Sequence, residues 1–302
     1  MLATSSDTNA TLTQNDAEIM PTEDSTTLHL YRPDCHEQDL ADDFPFKTTG
    51  DLSRRVRHAK AKRNTTAPDQ YIVVRDVDPK SAEDIWNRSI SLVSRSRLAY
   101  DAVSNVLLVR LVSRPHEEAT QRIDLRIIEE VSSMRLRDEL HYFGASPVYA
   151  GGSGKQPDGS YLPRTLPRGR TDTWPSIIIE TAYSESAVKL RADAAWWLLA
   201  SDGDVRLVIT VHVSPQRRRI VTERWESELA DNSRGGRSRR PQLLQSSIVE
   251  RQNNLPVASG PLTIPFDRLF LRSPVPPQEH DLVYSPTELE TIAHVIWESQ
   301  DD

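Results

Sequence analysis

The apolar positions change period several times along this chain, and each change predicts an element. Val106, Leu108 and Arg110 alternate with Leu107, Val109 and Leu111, a period of two that marks a strand. Ser104-Asn105 just before it is turn material, so a hairpin over about 97–103 and 106–112 is expected. Helical spacing then takes over, with Ala119, Ile123, Ile127, Val131 and Met134 on one stripe. Glu117 and Glu118 stand in its first turn, where the helix dipole favours carboxylates. A turn-rich stretch follows, with room for one short strand near 147–150 and a loop carrying Asp158. Ile177, Ile178 and Ile179 read as a buried strand. The next segment reads as a helix capped by Ser184 or Ser186. Its expected core stripe is Val188, Ala192, Ala195, Trp196 and Leu199, with Gly203 as the stop. Val205, Leu207, Ile209, Val211 and Val213 alternate again, and a further strand follows the turn at 214–216.

The order is hairpin, helix, strand, strand, helix, strand, strand. That predicts an α/β chain with a mixed sheet flanked by helices, an α+β arrangement over residues 71–230. Tyr71 opens it as a short strand, and Asp78-Pro79 with Ser81, Glu83 and Asp84 starts a helix. Residues 1–70 are polar without an apolar period and are expected to be a disordered tail. Residues 231–255 read as a basic, flexible linker. Residues 256–302 read as a strand and a helix, capped by Ser285 or Thr287 with Glu288 and Glu290, that packs on the core.

Charge and composition narrow the function classes. The net charge of −7 is uneven: the first fifty residues hold ten acids and two bases, and the next twenty hold six bases and two acids. The run from Arg54 to Arg63 suits a nuclear-import signal, a phosphate-contacting arm or a solvated linker. A single cysteine, Cys35, excludes an internal disulfide framework and a cysteine-cluster zinc site. No apolar run is long enough to span a membrane and no secretory pattern opens the chain, so an intracellular, nuclear-permissive location is expected. Phosphate loops, dinucleotide fingerprints, nucleophile elbows and His-Glu-x-x-His pairs are missing. Gly151 to Lys155 lacks phosphate-loop spacing and reads as a turn.

One chemical constellation remains: Asp158 in a loop, Glu180 in the apolar strand and Lys189 in the helix after it. A buried, unpaired carboxylate such as Glu180 is costly or takes up a proton. A cation, a lysine or a solvent-filled cleft removes the cost. Paired carboxylates suit a hard cation such as Mg²⁺, which could activate water against a phosphate. Each residue also has a reading without chemistry. Asp158 fits a Pro-Asp-Gly-Ser turn, Lys189 can pair with Glu185 and Asp193 on its own helix, and His116 can simply open its helix. Trp196 and Trp197 read as core and interface.

Residues 98–226 resemble the PD-(D/E)XK restriction-endonuclease-like superfamily, on short motifs in a matching order. These are the hairpin with His116 at the following helix start, Pro157-Asp158, and Ile177-Ile178-Ile179-Glu180 running on to Ser184. The chain is also similar to a widespread bacterial endonuclease family of that fold and to uncharacterised fungal proteins. The resemblance implies Asp158 and Glu180 as metal ligands for Mg²⁺ or Mn²⁺, with Lys189 assisting and Glu117 or Glu130 as further acids. The usual lysine, two residues after the glutamate, is Ala182 here. The function implied is a Mg²⁺-dependent nuclease acting on DNA or RNA, using Arg217 to Arg219 and Arg234 to Arg240 on phosphates. The alternative is a catalytically degenerate binding module of the same fold. A homodimer is a permitted assembly, and no membrane is involved.

Overall fold

The computed structural model describes residues 40–64, 66–92, 96–184, 187–231 and 237–301. In chain order the strands are β1 (Leu40–Pro45), β2 (Gln70–Arg75), β3 (Ser96–Asp101), β4 (Val106–Leu111), β5 (Leu140–Tyr142), β6 (Val148–Ala150), β7 (Ser153–Lys155) and β8 (Gly159–Pro163). They continue as β9 (Ile177–Tyr183), β10 (Leu207–Ser214), β11 (Arg219–Asp231), β12 (Arg237–Gln252), β13 (Leu255–Ala258), β14 (Leu262–Ile264) and β15 (Leu282–Tyr284). The helices are α1 (Thr49–Lys62), α2 (Pro79–Leu92), α3 (Arg114–Ser133), α4 (Val188–Ala200), α5 (Phe266–Phe270) and α6 (Pro286–Asp301). This is a mixed α+β architecture. Among the described residues no helix is long and apolar enough to cross a membrane.

Two mixed sheets carry the fold. The first runs β1-β2-β4-β3-β7-β6 and the second β13-β12-β11-β10-β9-β8-β5, with β14 and β15 a separate pair. Among the described residues only β1–β2 and β9–β10 are parallel. The hairpin forms at β3–β4, and Asn105 takes the left-handed conformation its turn requires, φ 54°.

Strand alternation sends the two faces of each sheet into different cores. Leu107, Val109, Ile72 and Val74 face outward from the first sheet onto α1 and α2, against Leu52, Val56, Ile85 and Trp86. Val106, Leu108, Val73 and Ala99 face inward, and meet Ile178 and Val208 of the second sheet with Trp196, Trp197 and Leu198 of α4. The other face of the second sheet, Ile177, Ile179, Leu207, Ile209 and Val211, packs on α3, α5 and α6.

Helix α3 behaves as its stripe predicts, with Ala119, Ile123, Ile127, Val131 and Met134 all buried. Ser113 caps it by accepting from the His116 amide. Arg135, at φ 63°, ends it, and the chain turns into β5. Helix α4 departs from the expected stripe. Of the expected residues Ala195 and Trp196 are buried but Val188, Ala192 and Leu199 are only half-buried, while Lys189, Leu190, Asp193, Ala194 and Trp197 are buried as well. The reason is its position: it is packed by the second sheet on one side and by the inner row of the first on another, so one apolar stripe does not define its buried surface. Its N-cap is Ala187 with no side-chain cap. Ser186 lies outside the described residues, and the Ser184 carbonyl is instead met by His212 Nε2 at 2.8 Å.

Part of the stretch expected as a disordered tail is folded: β1 and α1 lie within it. Phe44, Leu52 and Val56 are the anchors, too few and too far apart to stand out in a polar segment. Much of the basic run is spent within the fold. Arg55 pairs with Asp42 and Asp51, and Arg63 donates to the carbonyls of Val112, Ala67 and Pro68. The expected linker is largely β12, paired antiparallel with β11 from Arg219↔Glu250 to Asp231↔Arg237, with one register shift between Arg224 and Trp225. Cross-strand pairing organises it, and a basic, Ser-containing composition does not reveal that. At the C-terminal end α6 packs on α3, and Ser285 and Glu288 form the capping box.

The middle core should be the most sensitive to truncation. Ile178→Ala is expected to lower stability by about 2–5 kcal/mol, seen as a lower urea midpoint at an unchanged slope. Val103→Ala, at an exposed hairpin turn position, should stay within about 0.5 kcal/mol of the parent.

Candidate functional site

The inner rows of the two sheets are apolar until each reaches a charge. On β4 the row Val106, Leu108 ends in Arg110. On β9 the row Ile178 continues to Glu180. These positions face one another across the middle core, beside α4, and the charges meet there. Glu180 is therefore in mid-strand and fully buried.

Asp158 sits just before β8. It is buried, so it is no exposed turn residue. Arg110 Nη2 reaches both its oxygens at 2.7 Å. Arg97 Nε lies 3.0 Å from Oδ1, and His116 Nε2 is also 3.0 Å from Oδ1. The Thr181 amide donates to Oδ2 at 2.9 Å. Burial alone would raise this carboxyl's pKa, but Arg110 first, then His116 and Arg97, hold it well below the ordinary range. The glycine after it leaves room for α3, because a Cβ at Gly159 would stand 3.0 Å from Asp124 Oδ1 and press on that side chain.

Glu180 accepts from Trp197 Nε1 at 2.6 Å and pairs with Lys155 Nζ at 2.9 Å, both through Oε1. Oε2 is buried without a hydrogen-bond partner. Arg110 Nη2 lies 3.6 Å from it, an ion-pair distance too long for a hydrogen bond. Burial raises the Glu180 pKa, opposed by Lys155 and Arg110 and reinforced by Asp193 and Asp158.

Lys189 does not point at Asp158. It forms an ion pair with Asp193, one turn along α4, which is the ordinary helix pairing open to it. Its other expected partner, Glu185, lies outside the described residues. Asp193 also pairs with Lys155 at 2.7 Å, so an Asp193–Lys155 relay connects Lys189 to Glu180. Burial lowers the pKa of Lys189 against the pull of Asp193.

His116 does more than open α3. Its Nδ1 meets Asp69 Oδ2 at 2.7 Å, and its ring is wholly buried between Asp69 and Asp158. Asp69 in turn accepts from the Ser113 and Tyr183 amides, tying the start of α3 to the end of β9. Burial would pull the imidazole pKa down, but Asp158 and Asp69 outweigh it and raise it to about 9. Asp124 of α3 accepts from Tyr142 and Tyr161 hydroxyls at 2.6 and 2.7 Å. Burial raises its pKa to about 6 despite those bonds.

The structure thus brings Asp158 and Glu180 together around the single Arg110 guanidinium, with Lys189 on the flank. Glu117 pairs with Arg97 and Glu130 with Arg126, and neither contacts the two carboxylates. The charged partners that sequence reasoning passed over are Asp69, Arg97, Arg110 and Lys155, whereas Asp193 was expected as the helix partner of Lys189. Arg110 carried a signal: a charge inside an apolar strand, the same one that singled out Glu180. Lys155 had none, because Gly-Gly-Ser-Gly-Lys looks like a turn.

The donor chemistry can be set against a divalent metal. Among the described residues no group of three or more His, Cys, Asp or Glu side chains is placed to hold an ion. Asp158 already faces Arg110, Arg97 and His116, and Glu180 faces Lys155. A hard dication would have to displace these cations from both carboxylates, so the residues as arranged do not fit one.

No protein-family model matches this chain, and no curated protein matches it. A solved structure described as "a putative nuclease belonging to DUF820", from Anabaena variabilis, overlaps 65% of this chain and 90% of its own, at 13% identity and a TM-score of 0.35.

The buried imidazole gives stability a defined pH dependence. A pKa raised from 6.5 to about 9 on folding stabilises fully below pH 6.5 and ceases to do so above about 9. Denaturant titrations should show the parent losing stability as pH rises through this window, and His116→Gln showing a flatter profile. A parent that gains stability over the same window would contradict a charged His116.

Proposed function

We propose that this chain is a nuclease-like scaffold that binds DNA or RNA without cutting it. The observation that carries the reading is the Arg110 guanidinium, which contacts both oxygens of Asp158 and lies beside Glu180. In a hydrolytic site of the type the motifs resemble, those carboxylates would be open to a metal ion. Here they compensate buried cations and join two sheets. The order of motifs in the chain is kept in space: the β3–β4 hairpin, His116 at the start of α3, Asp158, and Glu180 on β9. Exposed basic side chains outside the cluster support a polyanionic partner. Arg217 is exposed, whereas Arg218 and Arg219 are held by Asp301 and Glu250. Arg237, Arg239 and Arg240 lie on β12, and Arg234 lies outside the described residues.

One observation favours the competing reading, a Mg²⁺- or Mn²⁺-dependent phosphodiesterase with Asp158 and Glu180 as ligands and Lys189 assisting. Glu180 Oε2 is a buried carboxylate oxygen with no hydrogen bond, an acceptor left over for some cation or proton.

Plasmid, single-stranded DNA and RNA incubated with either metal should remain intact with the parent protein, while gel-shift assays show retention of the single strands. Glu180→Gln should bind equally well. Metal-dependent cleavage that disappears in Glu180→Gln would establish the hydrolytic reading instead, and absence of any retained nucleic acid would remove the binding one. Glu180→Ala should be less stable by about 3–5 kcal/mol, because it removes one of the two carboxylates that compensate the buried Lys155.

A further inference from the structure

A second charged concavity lies away from the carboxylate cluster. It is an open cleft of about 400 Å³ whose walls include Arg206, Arg239, Arg268 and Arg272. It forms where the turn after α4 enters β10, closed by β11, β12 and the segment around α5. This is the starting end of the parallel β9–β10 pair, whereas Tyr183, Ser184 and His212 mark the other end. None of the cluster's charged residues lines it.

The four arginines differ in their freedom. Arg268 is held by Glu226 and Asp267 at 2.8 and 2.6 Å, so those two wall carboxylates are already matched. Arg272 is held by Glu279 and lies over the rings of Phe266 and Phe270. Arg206 is exposed, and its side chain has no ion pair or hydrogen bond among the described residues. Only its backbone amide is bonded, to the Ser176 carbonyl. Its charge is one of the influences that depress the neighbouring Arg170, after burial, so the positive field is felt locally. Arg239 contacts Asp202 at 3.2 Å, but that carboxylate is 98% exposed, and such a pair contributes little.

The backbone is shaped to seat Arg239. Gly203 has φ +86°, and any Cβ there would fall inside the Arg239 guanidinium. The guanidinium therefore rests directly on the turn, where a side chain would evict it. The result is two weakly committed arginines at one cleft, with the wall acids Glu226 and Asp267 both paired to Arg268. Guanidinium forks match the oxygens of a phosphate group, and the volume falls in the range of small-ligand sites, roughly 300–1,000 Å³.

We propose that this cleft is a phosphate-binding site, with Arg206 and Arg239 as its donors, taking a phosphate of a nucleotide or of a nucleic-acid strand. It stands apart from the carboxylate cluster, whether or not that cluster hydrolyses anything.

Calorimetry on the full chain at low salt, with pyrophosphate, a 5′-mononucleotide and a short single-stranded oligonucleotide as probes, tests it. At least one probe should bind the parent, with affinity falling as salt rises. Arg206→Ala should weaken that probe about tenfold or more, the loss of one charge-assisted pair, and Arg206→Ala/Arg239→Ala should abolish it. Arg206 is exposed and unpaired, so Arg206→Ala should fold normally, and its melting temperature checks that. Loss of pyrophosphate and mononucleotide binding together assigns a free nucleotide as the source. Loss confined to the oligonucleotide assigns a nucleic-acid strand. Oligonucleotide binding that the double variant leaves intact, with no loss of the other two probes either, would overturn the cleft while leaving nucleic-acid binding standing elsewhere. No binding of any probe to the parent would overturn it outright.

Discussion

The Arg110 guanidinium is the tie on which the rest of the middle of this protein depends. It leaves the first sheet from β4 and ends on the second, where Nη1 takes the Thr181 carbonyl at 3.0 Å and Nη2 takes Asp158. Guanidinium is the cation suited to this, since it stays charged when buried and offers donors in a fixed plane. The arrangement is self-consistent only as a whole. Each buried charge here is tolerable because an opposite one stands beside it, and removal of any member leaves another uncompensated. Lys155 plays the same part a few residues away, between Glu180 and Asp193.

Helix α4 shows why the two sheets need such ties. It is enclosed by both, and Trp174, Trp196 and Trp197 fill the space around it with ring centroids 4.9 to 6.2 Å apart. Trp197 then turns its one polar atom to Glu180. An indole is well suited to this place, with a large apolar body and a single donor. The aromatic packing and the ion cluster are thus two ends of one contact region, joined by a hydrogen bond.

Much of the fold could be read from periodicity, because a row of apolar residues on one face is what burial selects. The β3–β4 hairpin, α3 and the β9–β10 pair all declare themselves in this way. The buried face of α4 did not, since a helix enclosed on several sides loses its single stripe. Segments with few apolar anchors, α1 and β12, were hidden for the opposite reason. At the candidate site, Glu180 stood out as a charge within an apolar run. Its meaning did not, because a buried carboxylate is compatible with a metal or with a nearby guanidinium, and the difference lies in residues distant in sequence. Arg110 is seventy positions upstream and Lys155 twenty-five. Neither spacing follows a local rule, so only the folded chain could match the charges to one another.

Ala182 acquires a different significance in this light. It follows Glu180 on the same row of β9 and is buried, so its side chain belongs to the interior between the sheets. A lysine at that position would bring one more ammonium into an enclosure where Arg97, Arg110, His116 and Lys155 already crowd the available carboxylates. The methyl group keeps the interior close to electroneutral. What looks like a gap in a catalytic motif is, in this chain, the residue that its own charge balance demands.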